Sequence, residues 1–177
     1  MKSIQLSSRP FRIFAFLLLI ALIFCLGGCR SLFGSSKGGD MPFNGPVTFH
    51  ELALTIPEKF IRDSTQSTQD AWIFEQGFYR RMIILTRSDQ VGDADEALDR
   101  YADSMSEVGA ASERTTFLEL PAVHSAYTKD NTYCQEILFI YNGSYYAIAL
   151  RGGDEAEFRD LLATISIVDT AASDTAA

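Results

Sequence analysis

The chain has 177 residues, 47% of them hydrophobic and 21% charged, with a formal net charge of −8 at pH 7. That length supports one ordinary domain with a real core. The surplus of acidic residues repels phosphates and anionic headgroups, which argues against nucleic acid as a partner and otherwise reads as plain solubility.

Lys2, Arg9 and Arg12 form a positive flank, and Ile13–Leu26 is a run without a charge. A signal-peptide hydrophobic region has this length, whereas a bilayer-spanning helix needs roughly 20 apolar residues. The run ends in Leu26-Gly27-Gly28-Cys29: a branched apolar residue, two small residues, then cysteine. A peptidase that holds an extended chain in a narrow cleft admits only small side chains just before the cut. These four residues resemble the lipobox of bacterial lipoproteins. The resemblance implies cleavage between Gly28 and Cys29, diacylglycerol on the Cys29 thiol, and acylation of the amine freed by the cut. The chain is then expected outside the cytoplasm, anchored to the cell membrane. Where the envelope has two membranes the outer one is expected, since Arg30 and Ser31 supply no aspartate retention signal.

Loss of residues 1–28 removes three basic residues and no acid, which moves the formal charge from −8 to −11. Cys25 leaves with the signal and Cys29 carries lipid, so Cys134 remains alone and no intramolecular disulfide is expected. Cys134 sits in an apolar strand pattern and reads as a small buried hydrophobe. A catalytic thiol would need a histidine partner and a lowered pKa.

Residues 29–46, rich in Gly, Ser and Pro, read as a flexible tether. The folded part is expected over 47–169, with 170–177 as a frayed tail. VTFHELALTI reads as a strand-like stretch stopped by Pro57. Arg62–Thr65 reads as a short strand, and 66–70 as the turn after it. AWIFEQG and RRMIILTRS follow as two strands with Gly77 near their turn. From Asp93 to Val108 the period changes: Ala94, Ala97, Leu98, Tyr101, Met105 and Val108 share one helical face, and Asp95, Asp99, Asp103 and Glu107 the other. Gly109 is a natural stop. ERTTFLELP and AVHSAYTKD read as a strand pair broken at Pro121. In TYCQEILFIYNGSYYAIALRG, Asn142-Gly143 accepts the positive φ of a tight hairpin, and both strands are apolar on both sides, as central strands are. Asp154, with Glu157 three residues on, caps a second helix carrying Phe158, Leu161, Leu162 and Ile165, and SIVD closes the domain as a strand. The sum is α+β: an antiparallel sheet of six to eight strands flanked by helices in an α/β/α sandwich.

The stretch LTIPEKF, the hairpin CQEILFIYNGSYYAIAL and the closing GGDEAEFRDLLATISIV resemble the PsbP/Mog1-like superfamily across most of 47–169. Phe60 stands where many members have tryptophan. That superfamily includes photosystem II extrinsic subunits, a Ran-binding nuclear transport factor and envelope lipoproteins of the DcrB type, of which the last share the lipobox. The resemblance implies a platform for binding rather than one chemistry.

Several motifs invite a sharper reading. GGDEAEF, residues 152–158, nearly spells a diguanylate cyclase signature, but Ala156 and Glu157 interrupt it and a helix cap explains it. Among the acids Asp89, Asp93, Asp95, Glu96 and Asp99, Asp93 and Asp95 fit the first two places of an EF-hand loop, but Ala97 occupies the third and Leu98 replaces the glycine, and acids favour a helix N-terminus in any case. His50 and His124 have no zinc spacing and no Gly-x-Ser-x-Gly elbow, so each reads as an ordinary sheet or surface residue. Trp72 reads as core. Tyr79, Arg80 and Arg81, beside Phe78, form the one candidate contact patch. No catalytic residue, no metal and no cofactor beyond the lipid on Cys29 is expected. The leading expectation is a membrane-anchored, non-enzymatic module for an envelope protein or small ligand. An extracytoplasmic hydrolase with a site assembled in space is the alternative, and an assembly factor without a ligand is a third class. The hydrolase requires His50 or His124 beside a serine or Cys134 and a carboxylate.

Overall fold

In a computed structural model of the chain, the described residues are 45–58, 60–77, 80–89 and 92–168. The expected signal segment, Cys29, most of the tether, Phe78, Tyr79 and the tail lie outside them. Seven strands form one antiparallel sheet in the order β3 (Ile61–Arg62), β4 (Ala71–Gln76), β5 (Arg81–Asp89), β9 (Ser144–Arg151), β8 (Thr132–Tyr141), β7 (Leu120–Lys129), β6 (Ala111–Phe117). A second sheet has three strands, with β2 (Leu52–Ile56) between β1 (Gly45–Phe49) and β10 (Ser166–Ile167). The helices are α1 (Ala94–Glu107) and α2 (Glu155–Ala163). The α+β class with a large antiparallel sheet holds, with the refinement that the first strand-like stretch builds a separate small sheet.

That stretch is a hairpin, not one strand. Phe49 pairs with Leu52 across a two-residue turn, and His50 takes φ +52° at its first position. Phe49 and Leu52 are both buried, so the chain turns at His50-Glu51, the polar break between two apolar runs. The strand expected over 62–65 is also shorter, because Asp63 ends it. The Asp63 carboxylate accepts from the Thr65 N–H at 2.8 Å and hydroxyl at 2.6 Å, and from the Gln66 side-chain amide at 2.6 Å. An aspartate that satisfies backbone donors two and three residues on competes directly with a sheet ladder.

The meander β6–β7–β8–β9 is joined by three two-residue loops, Leu118-Glu119, Asp130-Asn131 and Asn142-Gly143, each with positive φ at both positions. This is the mirror-image turn whose twist suits a hairpin. Only the first lacks the favoured residues, Asn, Asp and Gly. The break expected at Pro121 therefore falls at Leu118-Glu119, where Leu118 offsets its unfavourable φ by packing against the core. Pro121 lies inside β7 opposite Thr116, one residue outside the β7–β8 ladder that starts at Ala122. Its missing N–H thus costs no ladder bond.

The two faces of the large sheet follow the period of two. Phe74, Ile83, Leu85, Ile137, Phe139, Tyr146, Ile148 and Leu150 join Phe49, Leu52, Leu54 and Ile56 of the small sheet and Phe158 and Leu161 of α2 in one core. On the opposite face α1 lies over β6, β7 and β8 and buries Ala97, Leu98 and Tyr101.

Both helices start as their sequences direct. The Asp93 carboxylate accepts from the Glu96 N–H at 3.0 Å, and Gly109, at φ +83°, follows the end of α1. Asp154 and Glu157 form a reciprocal capping box, at 2.8 Å and 3.0 Å. The residues just before it are constrained by space: a Cβ on Gly152, at φ +75°, would lie 2.2 Å from the Arg80 carbonyl oxygen, and one on Gly153 would lie 2.4 Å from the Leu150 side chain. The near-cyclase motif is a helix entry in which Gly152, Gly153, Asp154, Glu157 and Phe158 have structural tasks.

Candidate functional site

The densest polar cluster lies where the β1–β2 turn meets the end of β5 and the start of β9. Arg87 on β5 donates to Ser144 Oγ on β9 at 2.8 Å, and its other terminal nitrogen lies 3.9 Å from Asp70 and 3.7 Å from Asp89. His50 Nε2 is 3.1 Å from both the Gln69 carbonyl oxygen and Asp70 Oδ1. Both neighbours accept, so Nε2 carries the hydrogen. The Tyr146 hydroxyl donates a hydrogen bond to the Glu51 carboxylate, and the Glu51 carbonyl accepts from the Val168 N–H at 2.8 Å.

Electrostatics assign the states. The hydrogen bond from Tyr146 holds the Glu51 carboxyl below its ordinary range. Burial, then the Glu51 carboxylate, pushes the Tyr146 phenol up to about 12. At neutral pH the pair is phenol and carboxylate, a fixed donor and a fixed acceptor. Tyr146 is thus held neutral as a donor, and the cluster clamps the small sheet onto the large one. Beside it Trp72 makes edge contacts to Phe49 (5.2 Å) and Phe74 (6.3 Å), with the Arg62 guanidinium 3.9 Å from its ring centre. Trp72 packs against the core, as its sequence context suggests, with a cation over one face.

A second polar group lies under α1. Glu136 on β8 is 3% exposed, between Ser125 of β7 and Ala149 of β9, and burial raises its carboxyl to about 7. The Tyr101 hydroxyl of α1 is directed at it without reaching ordinary hydrogen-bond geometry. Ser125 is bonded to Ser112 of β6 at 2.8 Å. Sequence reading missed Glu136; the available signal was a lone acid, next to Gln135, in a largely apolar central strand, which has no solvent to charge it.

The residues singled out from sequence are dispersed. Arg80 is exposed in the β4–β5 turn, while Arg81 opens β5, pairs with Glu157 at 2.6 Å and lies 5.8 Å from the Phe60 ring. His124 stacks on Phe158 at 5.8 Å and lies 3.7 Å from Glu113, on the face of β7 opposite Ser125. Neither histidine is hydrogen-bonded to a serine or cysteine among the described residues. Cys134 is buried, and burial raises its thiol pKa, the opposite of what a nucleophile needs. The acids near α1 each have an employment: Asp93 caps, Asp95 and Asp99 hold Arg114 at 2.6 Å and 3.5 Å, Glu96 holds Arg100 at 2.7 Å, and Asp89 lies by Arg87.

The chain is similar in structure to the cyanobacterial PsbP, CyanoP, of Synechocystis sp. PCC 6803, with a TM-score of 0.51 at 12% identity, over 76% of this chain and 98% of that one. A protein from Bacteroides thetaiotaomicron VPI-5482 matches with a TM-score of 0.48 and 11% identity, over 72% of this chain and 50% of its own. No family model and no curated protein sequence matches. The fold is thus PsbP-like, an α+β arrangement in agreement with the resemblance read from LTIPEKF and the closing hairpin.

Proposed function

We propose that the chain is an extracytoplasmic lipoprotein, held at a membrane by lipid on Cys29, whose PsbP-like domain is a non-enzymatic binding or assembly module. The observation that carries the anchor is Leu26-Gly27-Gly28-Cys29 at the end of a charge-free run too short to span a bilayer. Two or more acyl chains, at about 0.8 kcal/mol per buried methylene, give stable attachment where one chain would not. The fold supports the module half. In the cluster that joins the two sheets the polar groups hold the sheets together, with Tyr146 neutral and Glu51 paired, and the Cys134 thiol is protonated.

Replacement Cys29→Ser tests the anchor. The variant is expected to accumulate as an uncleaved precursor that takes up no labelled palmitate in growing cells. Labelling of the variant at the level of the parent would overturn the proposal.

A further inference from the structure

The two edges of the seven-stranded sheet differ in kind. β3 has two residues and ends at the Asp63 turn, whereas β6 has seven and pairs with β7 alone. The two-residue loop after β6 sets the phase of its hydrogen bonds: Phe117 and Leu120 exchange both bonds, so odd-numbered positions of β6 turn their backbone groups toward β7. Ser112, Arg114 and Thr116 turn theirs outward, and no described residue bonds them. Several of the usual devices that close an edge are missing from β6, which carries one well-exposed charge, Glu113. It has no proline and no bulge, and its one cation, Arg114, is drawn onto α1 by Asp95 and Asp99.

We propose that β6 is a docking edge for an extended, basic segment of a partner protein, which adds to the sheet as a further strand. Main-chain bonds would supply the affinity and alternate side chains the selectivity. On the α1 face the incoming side chains meet Asp95 and Asp99, 72% and 66% exposed despite their contact with Arg114. On the other face they meet Glu113, 75% exposed. Lysine or arginine at alternate positions is the complement to Asp95 and Asp99 on the α1 face, and a cation at an intervening position to Glu113 on the other. A second copy of this chain fits less well. The fully overlapped antiparallel register sets Arg114 against its own copy, and it joins two chains that each carry a net charge of −8. The inference deepens the binding-module reading without needing the anchor, so acylation of Cys29 and strand docking can fail separately.

The test uses the full chain in detergent and a synthetic peptide of the length of β6 that alternates lysine with valine. Addition of the peptide is expected to slow amide exchange at Ser112, Arg114 and Thr116. A glutamate counterpart is expected to have no such effect. N-methylation of the peptide amides that face the edge, which leaves the protein untouched, is expected to abolish the protection. The double substitution Asp95→Asn and Asp99→Asn should weaken binding by about threefold to tenfold, as two exposed ion pairs would. The proposal is overturned if the N-methylated peptide binds as well as its parent, or if protection appears elsewhere. It is equally overturned if those amides are already slow before peptide is added, whether through a dimer or through the chain's own N-terminal segment.

Discussion

The two faces of the large sheet bury similar strands on different terms. The face toward the small sheet and α2 is mostly apolar, with the Gln135 amide and the Tyr146 hydroxyl as its buried polar groups, and its central ring, Phe139, is stacked on Tyr146 at 5.6 Å and met edge-on by Phe117 at 5.2 Å. The face toward α1 encloses a carboxyl at Glu136, with Tyr101 from α1, Ser125 and Tyr127 from β7, and Cys134 and Arg151 on the flanking pairs. The first face should answer chiefly to volume. The second should answer to pH, because its stability depends on the protonation of one buried group.

The largest effect is expected from Phe139→Ala, which empties the centre of the dry face. It should cost about 3–5 kcal/mol in chemical denaturation, at acid and neutral pH alike. Next comes the other face. The Glu136 carboxyl is raised from 4.5 to about 7 in the folded chain, so the folded state binds its proton more tightly than the unfolded state does. The associated stability is present in full below pH 4.5 and is lost as pH rises through about 7. Glu136→Gln should remove that slope and stabilise the chain at pH 8 by on the order of 2–3 kcal/mol, read from melts across pH. An unchanged slope in the variant would place the titrating group elsewhere.

Smaller effects mark the ends of the helices. Asp154→Ala removes the reciprocal cap of α2, which packs on the dry face, and should cost about 1 kcal/mol by urea titration. Arg114→Ala loosens α1 from β6 by breaking exposed pairs, and a loss of at most about 1 kcal/mol is expected.

Local signals in the sequence carried much of this architecture. The Asn142-Gly143 hairpin, both helices and their caps, and the apolar central strands can be read from residues whose preferences agree with their surroundings. The misreadings occurred where tertiary packing outweighed local preference. Leu118 and Glu119 adopt a turn their side chains disfavour because the flanking strands and the core hold them there, while Pro121 is harmless in a strand because its position needs no donor. The candidate sites were harder to read. The cluster of His50, Glu51, Asp70, Arg87, Ser144 and Tyr146 joins four separate stretches of chain, and no spacing in the sequence announces it. The open edge of β6 is a property of strand order, which composition does not express.

The anchor is the point on which location and role both depend, and intact-mass measurement of the chain purified from membranes addresses it directly. A chain that begins at Cys29 and carries a diacylglycerol adduct, with further mass from an acylated amine, is the expected species. An unmodified chain of 177 residues, or one cut at another position, would contradict a lipid-anchored module.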